Sequence, residues 1–87
     1  MKVSQTSQFK KDIKKQIKRG KDLNKIKAVI ELLAEEKQLP PSYRDHPLSG
    51  NWKGHRDCHI ESDWLLIYRI IGNDIRLERT GTHSDLF

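Results

Sequence analysis

The chain has 87 residues, of which 34% are hydrophobic and 33% charged. A domain this short buries only ~60–65% of its unfolded surface, which excludes a two-domain enzyme, a dinucleotide-binding doubly wound sheet and a deep enclosed pocket, so any chemistry belongs in an open groove or on a face. The net charge of +5 is unevenly placed: residues 1–27 hold ten Lys/Arg against two acids (Asp12, Asp22), and residues 38–87 hold six against seven. A basic half joined to a balanced half fits a protein that binds a polyanion, although a lysine-rich helix face is as often merely solvated.

Lys2 to Thr6 alternates and reads as an N-terminal strand. From Ser7 the period lengthens: Phe9, Ile13 and Ile17 recur every four residues between lysines, predicting an amphipathic helix that Gly20 stops. Asp22 is an N-cap for a second helix with Leu23, Ile26, Val29, Ile30 and Leu33 on its buried stripe. Pro40-Pro41 ends it and opens a loop through Tyr43, His46, Pro47 and Gly50. The period then falls to two. His55 to Ile60 sets His55, Asp57 and His59 on one face and Arg56, Cys58 and Ile60 on the other. Trp64 to Ile71 is apolar on both parities, as a central strand is; Gly72-Asn73 turns, and Asp74 to Thr80 is the last strand. The fold class is α+β, a β-α-α-β-β-β single domain over residues 1–87. A small antiparallel sheet would carry both helices on one face and leave the other open.

The longest apolar run, Trp64 to Tyr68, is ended by Arg69 and is far too short for a bilayer. Met1 to Gln5 has no apolar segment behind its charge, and the single Cys58 has no partner for a disulfide, so the reading is cytoplasmic.

There is no His-Glu-x-x-His helix, no cysteine pair and no glycine-rich phosphate loop. Asp57 and His59 with Asp63 nearby are a lesser possibility for a carboxylate–imidazole metal site. No cofactor is expected. What the second half does concentrate is proton-transfer chemistry: His46, His55, His59 and His83, with Asp63 and Arg79. Histidine takes or gives a proton near neutrality and arginine braces an oxyanion. Cutting RNA without a metal needs that set: a base for the 2′-OH, a cation for the crowded phosphorane and an acid for the departing 5′-oxygen. Any one histidine is more often structural. Trp64 reads as core more readily than as a platform, and Phe87 either plugs the sheet edge or stacks on an unpaired base. Arg79 shares the parity of Ile75 and Leu77, which turns it inward unless the strand bulges.

The segments Asp45-His46-Pro47-Leu48, Gly50 to His59, Asp63-Trp64 and Arg79 to Phe87 resemble the YafQ toxins, a branch of the RelE/ParE superfamily of type II toxin–antitoxin systems. The motifs cover residues 43–87; the helical half matches in length, pattern and basicity. The resemblance implies a small α/β toxin that cuts messenger RNA without a metal, typically in the ribosomal A site, and a cognate antitoxin that wraps it and represses their operon through DNA. It implies His46, His59, Asp63 and His83 as the acid–base group and Arg79 as the phosphate-bracing cation. Trp64 and Phe87 are then substrate-contacting or site-shaping, while His55 matches no catalytic position. The basic helix, with Lys10, Lys14, Lys15 and Lys18, would hold RNA phosphates. The rivals are a ParE-like gyrase poison, a ribosome-independent RNase and a non-enzymatic nucleic-acid-binding module.

Overall fold

The computed structural model describes all of residues 1–87. Its elements are β1 (Lys2–Gln5), α1 (Ser7–Lys18), α2 (Leu23–Ala34), β2 (His46–Pro47), β3 (Arg56–Glu61), β4 (Trp64–Ile71), β5 (Asp74–Gly81) and α3 (His83–Leu86). Two 3-10 turns, Pro41–Tyr43 and Gly50–Trp52, shape the loops on either side of β2.

Local chemistry sets the boundaries. The Thr6 hydroxyl accepts the Phe9 N–H at 2.9 Å to start α1, and the Asp22 carboxylate accepts the Asn24 N–H at 2.9 Å to start α2. Between them Gly20 sits at φ +80°, a conformation that suits glycine. On α1 the buried side chains are Phe9, Asp12 and Gln16, with Ile13 partly covered, while Ile17 is half exposed. A stride of four residues overshoots the helical turn by about 40° each time, so the apolar row drifts off the contact face and polar residues fill its far end.

The sheet has the order β1-β5-β4-β3-β2. Its β2-β3-β4-β5 run is antiparallel, but β1 lies parallel to β5, with Val3 opposite Ile75 and Gln5 opposite Leu77. The sheet is therefore mixed rather than antiparallel throughout. Hairpin rules govern neighbours in sequence and do not fix the direction of a strand some seventy residues from its partner. The added strand β2 is two residues long, too short for any periodicity, and its Pro47 is tolerated because it lies on the sheet edge.

Both long helices pack on one sheet face, where Phe9, Ile26, Val29 and Leu33 meet Cys58, Trp64, Leu66, Tyr68, Ile75 and Leu77. The opposite face is only half open. Leu65 and Ile67 are covered there by Leu86 of α3 and by Leu48 and Trp52 of the loop after β2. A second, smaller core thus lies beneath what remains of the exposed groove. No helix is long and apolar enough to cross a membrane.

Candidate active site

Strand register aligns the titratable groups on the face away from α1 and α2. His46 lies opposite Asp57, Asp57 opposite Ile67, and Ile67 opposite Arg79. Adjacent strands are about 4.8 Å apart, so the Asp57 and Arg79 backbones are roughly 10 Å apart, a span that two side chains on one face can close over a bound phosphate. The next row carries His59, Leu65 and Gly81, and leads into α3 with His83 at its first position.

Two imidazole–carboxylate pairs flank His59. His46 Nε2 is 3.1 Å from Asp57 Oδ1, close but not aligned for a hydrogen bond. His83 Nδ1 is 2.6 Å from Asp63 Oδ1, and the same oxygen accepts the His83 backbone N–H at 2.9 Å. That leaves Nε2 of His83 turned outward. The His59 and His83 rings lie 5.5 Å apart, edge to face. One ligand atom from each of His46, Asp57 and His59 falls within 4.8 Å of the others.

The two carboxylates differ because their surroundings differ. Asp57 is 4% exposed, and burial raises its carboxyl above the ordinary range against the opposing pull of His46, His59 and His83. Asp63 is exposed and lies below that range, held first by the His83 backbone N–H and then by its ring. One pair is thus the readier proton acceptor, and the other keeps a carboxylate beside its imidazole.

Arg79 reaches this face because β5 bulges. Ile67 pairs with Arg79 but Tyr68 pairs with Leu77, so Glu78 is the extra residue and the alternation reverses beyond it. Without that insertion Arg79 would point among Ile75 and Leu77.

α3 is one turn long and is tied down from outside. Thr82 and Asp85 form a capping box, and Asp85 also accepts Nη1 and Nη2 of Arg19 at 2.6 and 3.1 Å and Nζ of Lys15 at 3.2 Å. The Arg19 guanidinium foremost holds the Asp85 carboxyl far below its usual range. The end of the basic helix therefore fastens the turn that carries His83.

The structure thus gathers His46, His59, Asp63 and His83 and brings Arg79 to the same face, and it adds Asp57, which the sequence pointed to only as a metal ligand. The Arg-Asp-x-His alternation was the available signal, since it puts Asp57 and His59 side by side. The companion of Asp57 and His59 is His46, not Asp63. Trp64 is 0% exposed, and its Nε1–H donates to Thr80 Oγ1 at 2.8 Å. A side chain with no exposed surface cannot stack on a base, so Trp64 shapes the site from beneath rather than contacting substrate. Phe87 is 60% exposed at the end of α3. Lys10, Lys14 and Lys18 are exposed, whereas Lys15 is paired with Asp85. His55 faces Glu78, its Nε2 3.0 Å from Oε2.

The family model described as the bacterial toxin of type II toxin–antitoxin systems, YafQ, matches residues 1–87. The chain belongs to that family. The toxin is 49% identical over 86 residues to the mRNA interferase toxin YafQ of Escherichia coli K12, covering 98% of this chain and 94% of that one. Among solved structures, the E. coli DinJ–YafQ complex matches with a TM-score of 0.91 at 49% identity, over 98% of this chain and 96% of that one. The metal-bound toxin from Helicobacter pylori matches with a TM-score of 0.93 at 42% identity, over 100% and 99%. These likenesses span both halves of the toxin, including the helical half where the motifs are silent.

Proposed function

We propose that the toxin is an mRNA endoribonuclease, an interferase, that cuts message by attack of the 2′-OH on the adjacent phosphate. The His46–Asp57 pair, with His59 beside it, takes the 2′-OH proton; the raised Asp57 carboxyl suits an acceptor. His83, held through Nδ1 by Asp63, gives a proton to the departing 5′-oxygen. Arg79 stabilises the dianionic phosphorane. Phe87 stacks on an unpaired base, and the exposed lysines of α1 hold the backbone. The substrate in this reading is unpaired message presented in the ribosomal A site. A cognate antitoxin binds the toxin, as DinJ is bound to the E. coli relative, and holds it inactive.

The observation that carries this reading is the two imidazole–carboxylate pairs standing on either side of His59. A gyrase poison needs no such arrangement. His59→Ala and His83→Ala should each abolish cleavage of translated message and growth arrest while the melting temperature stays within a few degrees of the parent. Full toxicity in both variants would overturn the reading. Cleavage should also survive a chelator selective for transition metals at constant Mg²⁺; its loss there would make His46, Asp57 and His59 a metal site instead.

A further inference from the structure

Along β5 the reversal that exposes Arg79 leaves an uncovered edge. β1 ends at Gln5 opposite Leu77, so on that side β5 has no strand beside it from Glu78 onward, while β4 continues along its other side. The beginning of α1 takes over that edge. The Thr6 hydroxyl donates to the Glu78 carbonyl at 2.9 Å, and the Thr80 N–H donates to Asp12 Oδ2 at 3.1 Å. From the other side of the sheet His55 meets the Glu78 carboxylate. The bulge is clasped from both flanks.

Asp12 does more than cap the edge. Its two oxygens accept Nε of Arg79 at 2.8 Å and Nη2 at 3.2 Å, a forked contact that fixes the guanidinium plane and leaves Nη1 without a protein partner. Asp12 is 5% exposed on a helix face otherwise rich in lysine, and Gln8 Nε2 donates to it at 3.0 Å from the preceding turn. Burying a carboxylate is costly unless it is fully paired, and here the one ion pair is with Arg79. That arginine stands in the same cross-strand row as His46 and Asp57.

We propose that Asp12 is a positioning residue: it aims the Arg79 guanidinium so that its free edge meets the scissile phosphate. The proposal rests on the reading of Arg79 as the phosphate-bracing cation. An arginine on a flexible stem would otherwise sample many rotamers, and a group misplaced by about 1 Å loses roughly 100-fold in rate. The nearest alternative is that Asp12 only seals the β5 edge.

The test is single-turnover cleavage of a translated message, with toxin titrated to saturation over ribosomes. Asp12→Asn should lower the maximal rate roughly 10- to 100-fold with little change in the half-saturating toxin concentration. In an Arg79→Lys background, which keeps the charge but not the fork, Asp12→Asn should cause no further loss of rate. An edge seal alone would instead lower the melting temperature equally in both backgrounds and leave the parent's maximal rate intact, and that result would overturn the proposal. An equal loss of rate in both backgrounds would also overturn it. If Arg79→Lys and Arg79→Gln both cleave like the parent, the role of Arg79 fails, and the positioning role fails with it.

Discussion

At the scale of single residues, Asp57 shows how a site keeps a group that the fold would rather lose. Its carboxyl is buried and lies beside His46 without an aligned hydrogen bond. The folded state therefore holds the Asp57 proton more tightly than the unfolded chain does. Ionisation above the usual carboxylate pKa of ~3.9 then works against folding. Asp57→Asn should raise the melting temperature near pH 7, with the gain shrinking as pH falls toward roughly 3, and should depress cleavage. Thermal melts of variant and parent across that range check the first part; a variant less stable than the parent at neutral pH would show that His46 more than compensates the burial. Asp57 was legible as a neighbour of His59 from the Arg-Asp-x-His alternation. Its tie to His46 was not, because β2 is too short to leave a pattern in the sequence.

At the scale of elements, α1 was the least legible. The repeat of Phe9, Ile13 and Ile17 suggests an apolar stripe, yet the contact face runs through Phe9, Asp12, Ile13 and Gln16. Asp12 is there for Arg79, but the Gln16 amide is buried and neither its nitrogen nor its oxygen meets a protein hydrogen-bond partner. Such a group forfeits about 1–3 kcal/mol of hydration. Gln16→Leu, close in volume, should stabilise the toxin and raise its melting temperature by several degrees while cleavage is unchanged; a drop in melting temperature would mean that the amide is satisfied within the fold. The bulge in β5 was half legible. Parity alone showed that Arg79 could not reach an open face along a regular strand, but the location of the extra residue depends on where β1 stops, a tertiary fact. α3 did leave a signal, the Thr82-x-x-Asp85 capping pattern, although one turn is too short for helical periodicity to reveal.

At the scale of the whole molecule, charge and chemistry are divided between the two halves of the chain and rejoined by the fold. The helical half supplies cations, and part of that supply is structural: Lys15 and Arg19 secure α3, while Lys21 and Lys25 meet Glu61 at 3.0 and 2.7 Å. Lys10, Lys14 and Lys18 remain exposed for a polyanion. Replacing these three with Gln should weaken binding of a non-cleavable 2′-O-methyl single strand and reduce the slope of log affinity against log salt by roughly 2. An unchanged slope would remove α1 from the RNA path. The split was visible in the sequence as a count of charges, and the motifs of residues 43–87 carried the chemistry. Which cations face solvent and which face acids depended on contacts between residues 36 to 70 positions apart.

The central claim is that imidazoles and an arginine perform an internal transesterification, so the chemistry of the cut ends decides it. Message cleaved by the purified toxin should carry a 2′,3′-cyclic phosphate on the upstream fragment and a 5′-hydroxyl on the downstream one, read by resistance to ligation before, and competence after, enzymatic phosphorylation of the 5′ end. Fragments ending in a 3′-hydroxyl and a 5′-phosphate would contradict the account, because those ends require water, not the neighbouring 2′-OH, as the nucleophile.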